Sequence, residues 1–170
     1  MKKVKESKES KLYKLTDANG RTQNATQWGP GVSHSAKGAE DQPLCSDGWI
    51  HAYESPLLAV LLNPIQADFV KPLLWEARGA IGKREGQLKC GCRTLMTVRQ
   101  IPLPVVTTEQ RVRFAILCAK VVCKDPAWNH WADGWLSGKD RSKEASAEAA
   151  AAATAAATID LIQIAKAAVR

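Results

Sequence analysis

The sequence has no long apolar run and few aromatic residues, which make up 6% of the chain. Its longest apolar stretches, such as residues 57–62, are far shorter than the roughly 20 residues of a membrane-spanning helix. Gly-x-Gly-x-x-Gly, Walker, Cys-x-x-Cys and Gly-x-Ser-x-Gly motifs are missing, and with them the common signatures of nucleotide, zinc and hydrolase sites. No apolar segment follows the basic start, so we expect a cytoplasmic protein without a secretory signal or membrane contact.

The chain has five cysteines, which is an odd number, and its sequence gives no secretory context. Both features favour reduced thiols over disulfides. Cys90 and Cys92 lie two apart on a predicted strand, so both thiols point to one side. Together with Cys45 and His51 they could complete a Cys3His zinc set, but small buried core cysteines explain the pair equally well. We therefore expect no metal or other cofactor.

The positive charge is unevenly distributed. The chain has 24 Lys plus Arg against 17 Asp plus Glu, a net charge of +7. Residues 1–14 carry six lysines and two glutamates, which is +4 of that total. This composition predicts a basic flexible tail at residues 1–11, ahead of a domain at residues 12–138 and an Ala-rich helical tail at residues 139–170.

Alternating and periodic apolar residues indicate a mixture of strands and helices. Strands are predicted at residues 12–16, 48–53, 73–78 and 88–98, with a long surface loop at 28–47 and a turn at 79–86. Helices are predicted at residues 56–63, 107–124 and 126–137. The fold class is therefore α+β, a small twisted and mostly antiparallel sheet with packed helices, followed by an Ala-rich C-terminal helix whose apolar end could support self-association.

A ligand pocket is one candidate site. Trp49, His51 and Tyr53 alternate onto one face of a strand, just before a helix start that attracts anions. The loop that carries Trp28 could close over them and add an aromatic wall. The alternative is that His51 is a half-buried polar residue beneath that loop.

A basic face is the second candidate site. On the strand at residues 88–98, the side chains of Leu88, Cys90, Cys92, Thr94, Met96 and Val98 are predicted to face the core, and Lys89, Arg93, Thr97 and Arg99 the other side. An anion-binding or partner-binding surface would include Arg78, Lys83, Arg84, Lys89, Arg93 and Arg99. Nucleic-acid binding through it would be weak and non-specific, and a solvated charged face explains the pattern equally well.

Three tryptophans form a stripe on the helix at residues 126–137. Trp128, Trp131 and Trp135 lie at positions i, i+3 and i+7, so they share one side. They could form a stacking platform or a partner anchor, although such a stripe more often packs against the core.

Several strings of residues resemble a family of uncharacterised phage and prophage proteins. These strings are Gln27-Trp-Gly-Pro-Gly31, Leu44-Cys-Ser-Asp-Gly-Trp-Ile-His-Ala-Tyr53, Pro56-Leu-Leu-Ala-Val-Leu-Leu-Asn-Pro64, Ile101-Pro-Leu-Pro104 and Trp135-Leu-Ser-Gly-Lys-Asp-Arg-Ser142. The resemblance covers about residues 12–142, and it implies a small mixed domain with a Gly-aromatic-x-His strand and an Ala-rich helical tail. This chain departs from the family in having no tryptophan after Trp135.

The resemblance implies a phage-derived accessory protein in the cytoplasm of a bacterial host, with anti-defence as one such role. Such a protein would act by stoichiometric binding to a host protein or nucleoprotein. The alternative is a nucleotide-binding or ADP-ribosyltransferase-like enzyme with a pocket around Trp49, His51 and Tyr53, which is an analogy at the level of fold.

Overall fold

The computed structural model describes residues 9–139 and 160–170, which form two compact units. The first extends to Pro104 and the second begins at Val105. The boundary between these units lies in the proline-containing segment that follows the last strand. The predicted boundary at residues 138/139 stays a prediction. Ser10 and Lys11, assigned to the flexible tail, belong to the first strand. The Ala-rich residues 140–159 lie outside the described part.

The described part of the first unit consists of strands and one α-helix, and that of the second unit is helical. The strands are β1 (Ser10–Thr16), β2 (Arg21–Thr22), β3 (Thr26–Gln27), β4 (Ser33–Ser35), β5 (Ile50–Ala52), β6 (Leu73–Glu85) and β7 (Lys89–Ile101). The helices are α1 (Pro56–Gln66), α2 (Thr108–Val122), α3 (Pro126–Leu136) and α4 (Leu161–Ala168). The α+β class, the antiparallel sheet and a C-terminal helix are therefore confirmed. None of the described helices has both the length and the hydropathy to cross a membrane.

The β6–β7 hairpin is the centre of the main sheet. β1 pairs antiparallel with β6, while β4 and β5 pair antiparallel with different parts of β7. Tyr13 of β1 and Tyr53, just after β5, exchange two backbone hydrogen bonds of 2.8 Å. Because β1 and β5 lie on opposite sides of the hairpin, this bridge shows that the sheet curls back on itself and encloses one of its faces.

The β6–β7 hairpin is longer than the sequence predicts. The predicted turn at residues 79–86 is wrong, because β6 continues to Glu85 and β7 begins at Lys89. Gly79 permits close approach of the two strands, since a Cβ there would lie 2.7 Å from the backbone oxygen of Thr94. Glycine was taken as a turn signal but here marks crowding inside a sheet.

The enclosed face holds the core of the first unit. Bulges break the regular alternation of β7, since Gly79 faces Leu95 while Ile81 faces Cys92. The predicted core positions of Thr94, Met96 and Val98 are therefore wrong, and Leu95 and Thr97 are buried instead. The buried cluster consists of Leu12, Trp28, Ala52, Ala77, Cys90, Cys92 and Leu95.

Helix α1 begins as predicted and ends later. The Ser55 hydroxyl accepts a hydrogen bond from the backbone of Leu58 at 3.4 Å, and Pro56 occupies the first position. The predicted stop at residues 63/64 is wrong, because the helix continues through Pro64 to Gln66. Asn63 then fixes the chain beyond the helix through two side-chain hydrogen bonds to the backbone of Phe69, at 3.0 and 3.1 Å.

The helices of the second unit pack around small residues. Thr107 and Gln110 form a capping box at the start of α2. Trp135 is buried, and Trp128 and Trp131 are half-buried against the same cluster. The tryptophan stripe therefore packs mainly against the core of the second unit, which is one of the two interpretations of its spacing.

Candidate functional site

The predicted aromatic pocket is not assembled. Trp28 belongs to the enclosed cluster, and its indole Nε1 donates a hydrogen bond to the Thr22 hydroxyl at 3.0 Å. Trp49 instead lies against Gly82 and Gly91 of the central hairpin. Tyr53 is buried at the bridge to β1, and burial raises the pKa of its hydroxyl to about 12. The nucleotide-binding alternative relied on a shared pocket, and it stays a prediction.

His51 contacts the loop at residues 36–48, as its alternative interpretation expects. Its Nε2 donates to the backbone oxygen of Leu44 at 2.5 Å. Burial is the largest influence on the pKa of His51, which is lowered from its usual value, and the charges of Lys14 and Lys89 lower it further. The imidazole is thus a neutral structural donor at pH 7.

Trp49 holds the same loop from the other side. Its indole Nε1 donates to the backbone oxygen of Gln42 at 3.0 Å. The ammonium of Lys83 and the guanidinium of Arg93 lie 5.9 and 5.7 Å from its ring centroid. Lys83 also donates to the Gln42 oxygen at 2.8 Å, and Arg93 to the backbone oxygen of Gly48. Lys83 and Arg93 therefore hold the loop at residues 36–48 in place through hydrogen bonds within the first unit.

Two further residues of the predicted basic face have partners within the first unit. Arg84 makes two hydrogen bonds to the carboxylate of Glu54, at 3.0 and 3.1 Å. Lys89 is bonded to Cys45, Gln66 and Glu85. Four of the six predicted basic residues, Lys83, Arg84, Lys89 and Arg93, therefore already have partners within the first unit.

A smaller basic cluster remains on the outer face of the sheet. In the strand register Lys11 faces Arg78, and Glu76 faces both Tyr13 and Arg99. Directly opposed residues share a face, so these five side chains lie together. We call Lys11, Glu76, Arg78 and Arg99 the outer basic cluster.

Glu76 joins two of the three cations of this cluster. Its Oε2 atom lies 3.4 Å from the Lys11 ammonium and 3.0 Å from Nη2 of Arg99. The hydrogen bond from Arg99 is the largest cause that lowers the pKa of Glu76, so the carboxylate stays ionised at neutral pH. With three cations and one anion, the outer basic cluster has a local surplus of positive charge.

Arg78 is the cation in the outer basic cluster that is most available. Its side chain is exposed, and the contacts among the described residues include no ion pair or hydrogen bond to its guanidinium. It lines an open depression of about 230 Å³ together with Glu9, Ser10, Lys11 and Glu76. A guanidinium in such a place suits a carboxylate or phosphate oxygen, while the two carboxylates limit the attraction.

Sequence reasoning missed Lys11 and Tyr13 as members of this surface. Lys11 falls in the predicted basic tail, and only pairing of β1 with β6 places it and Tyr13 beside Arg78 and Glu76. The available signal was the alternation of Lys11 and Tyr13 with the buried Leu12 and Lys14. Tyr13 also places an aromatic ring on this surface, with its centroid 6.0 Å from the Lys11 ammonium.

A buried lysine lies within the enclosed face. The Lys14 ammonium donates to the backbone oxygen of His51 at 2.6 Å and lies 5.2 Å from the Trp28 ring centroid. Burial lowers its pKa from 10.5 to about 8, partly opposed by the thiols of Cys92 and Cys90. The pKa of Cys92 is lowered and that of Cys90 raised, chiefly by the hydrogen bond between the two thiols.

The predicted zinc ligands are separated in the structure. Cys90 and Cys92 are buried in the enclosed cluster, whereas Cys45 is exposed and bonded to Lys89. Across residues 9–139 and 160–170, no three histidine, cysteine or acidic side chains are grouped so that they could hold a metal ion. The core-cysteine interpretation accounts for Cys90 and Cys92.

No family model, curated protein or solved structure matches this chain. The resemblance to phage and prophage proteins therefore stays a prediction.

Proposed function

We propose that this chain is a phage-derived accessory protein, anti-defence being one such role, that binds an acidic surface of a bacterial host protein or nucleoprotein. Binding is stoichiometric and uses the outer basic cluster. The observation that carries the proposal is the exposed guanidinium of Arg78 beside Lys11 and Arg99. An anion of the partner can bind this guanidinium and is also attracted by the two neighbouring cations.

The distribution of contacts supports this cluster over the rest of the predicted basic face. Lys83 and Arg93 bond to backbone oxygens of the loop at residues 36–48, so a partner would have to break those bonds. The charge of Arg84 is offset by its two hydrogen bonds to the carboxylate of Glu54. Arg99 and Lys11 share one carboxylate and are still 69% and 59% exposed. Their charges therefore reach a partner without rearrangement of the loop.

Charge reversal at Arg78 tests the proposed surface. We expect Arg78→Glu to weaken retention of the partner from bacterial lysate by at least about tenfold, because it places a carboxylate beside the partner's own anion. Lys71→Glu is the matched control, since it makes the same change in net charge at another exposed site. Equal loss in both variants, or no loss in Arg78→Glu, would contradict this role of the cluster.

Duplex DNA should bind weakly and with strong dependence on salt. We expect a slope of roughly −0.9 in log affinity against log salt for each phosphate neutralised, and little binding at physiological salt. Deleting residues 1–8, which contain four lysines and one glutamate, should flatten this slope. Gel-shift titration at two salt concentrations measures both quantities. Tight binding that persists at the higher salt would contradict this prediction.

A further inference from the structure

Lys89 connects three separate segments of the first unit through one ammonium group. Its Nζ lies 3.0 Å from Sγ of Cys45, 3.1 Å from Oε1 of Gln66 and 3.5 Å from Oε2 of Glu85. The lysine side chain is only 10% exposed, and each of its three donors has an acceptor. The nitrogen is therefore held in a fixed position against the sulfur.

Cys45 is the accessible partner in this group. It is exposed, whereas Cys90, Cys92 and Cys118 are buried. A small oxidant in solution therefore reaches the Cys45 sulfur first, and the nearest nucleophile to the oxidised sulfur is the Lys89 nitrogen. The Glu85 carboxylate lies 3.5 Å from the Lys89 nitrogen and can accept a proton from it.

We propose that a peroxide converts Cys45 and Lys89 into a reversible sulfur–nitrogen cross-link. The Cys45 sulfur attacks the peroxide, an S–O bond forms as the O–O bond breaks, and the leaving oxygen departs as water. Sulfur is oxidised by two electrons to the sulfenic acid and the peroxide is reduced. The Lys89 nitrogen, after losing one proton to Glu85, attacks sulfur, and the hydroxyl leaves as a second water. A thiol, an amine and hydrogen peroxide thus give the cross-link and two waters.

The cross-link would fix the loop at residues 36–48 to the start of β7. That loop is held by hydrogen bonds from Lys83, His51 and Trp49 to its backbone oxygens, all of which break when the loop opens. A covalent bond between Cys45 and Lys89 restricts the unfolded chain and the opened loop alike. Oxidation is therefore expected to raise the midpoint of thermal unfolding and to slow proteolysis of the loop.

Mass spectrometry of the peroxide-treated full chain tests this proposal. We expect the mass to fall by two hydrogens, the fragment spectra to join Cys45 to the Lys89 nitrogen, and dithiothreitol to restore the original mass. Lys89→Arg is the matched control, because it keeps the positive charge and supplies a far weaker nucleophile. In that variant Cys45 should remain a sulfenic acid that dimedone traps.

Several outcomes would overturn the proposal. A loss of two hydrogens that persists in Lys89→Arg would identify a disulfide instead. Dimedone labelling of Cys45 in the wild type without any cross-linked peptide would show that the nitrogen does not attack. Far-ultraviolet circular dichroism of Lys89→Arg and Cys45→Ser before oxidation checks that both variants are folded.

Discussion

Lys14→Met is expected to make this protein more stable at pH 7, by about 1–2 kcal/mol. A pKa near 8 in place of 10.5 corresponds to roughly 3 kcal/mol of destabilisation when the buried amine is charged. Methionine fills a similar volume without a charge, but it loses the hydrogen bond to the His51 oxygen, which is worth about 1.5 kcal/mol because its donor is charged. The desolvation of the ammonium is the larger effect, so the net change is favourable.

The pH dependence of the stability difference between Lys14→Met and the wild type is a sharper test than its size at pH 7. Below about pH 8 the amine of Lys14 is protonated in both the folded and the unfolded chain, and the full penalty is present. Between about 8 and 10.5 the folded chain has lost this proton while the unfolded chain keeps it, so wild-type stability rises with pH relative to the variant. The advantage of Lys14→Met should shrink through this window and reverse before its upper end.

Urea unfolding of both proteins at several pH values from 7 to 10.5 measures this difference. Subtracting the two curves removes the titration of groups that do not interact with Lys14, and leaves that of its neighbours Cys90, Cys92 and His51. Lys14→Arg is the control, because a guanidinium stays charged and should destabilise at every pH. A difference that does not vary with pH would refute the burial of a titrating amine.

Local signals in the sequence were sufficient for the starts of helices α1, α2 and α3. The Ser55-Pro56 start, the Thr107 and Gln110 capping box and the Asp125-Pro126 start all involve residues within three positions of one another. Their chemistry is complete in a short segment, so no tertiary contact is needed to recognise it.

The missed features depend on contacts between segments that are distant in sequence. The bulges that move Leu95 and Thr97 into the core arise from pairing between β6 and β7. The partners of Lys83 and Arg93 lie on a loop about 40 residues away, so a list of basic residues could not separate structural cations from available ones. Lys14 was not singled out because a lysine in an alternating strand ordinarily faces water.

Trp49→Ala is expected to cost about 3–5 kcal/mol of stability, the usual range for a large buried aromatic. The side chain is 6% exposed and makes the hydrogen bond to Gln42 that holds the loop at residues 36–48. Its removal also leaves Lys83 and Arg93 without the ring beneath them. Trp49→Phe should cost less, because it keeps one aromatic ring and loses only the indole donor and part of the buried ring volume. Urea unfolding measures both, and limited proteolysis should show earlier cleavage within the loop in Trp49→Ala.

A double-mutant cycle with Gly82 assigns this effect to the packing of the ring. A Cβ at Gly82 would lie 2.5 Å from Cζ3 of Trp49, so Gly82→Ala should cost about 1–3 kcal/mol in the wild type through overpacking. In the Trp49→Ala background that atom is gone, and the same substitution should cost close to nothing. The two losses would then be far from additive. Additive losses would mean that the Trp49 ring does not rest on Gly82.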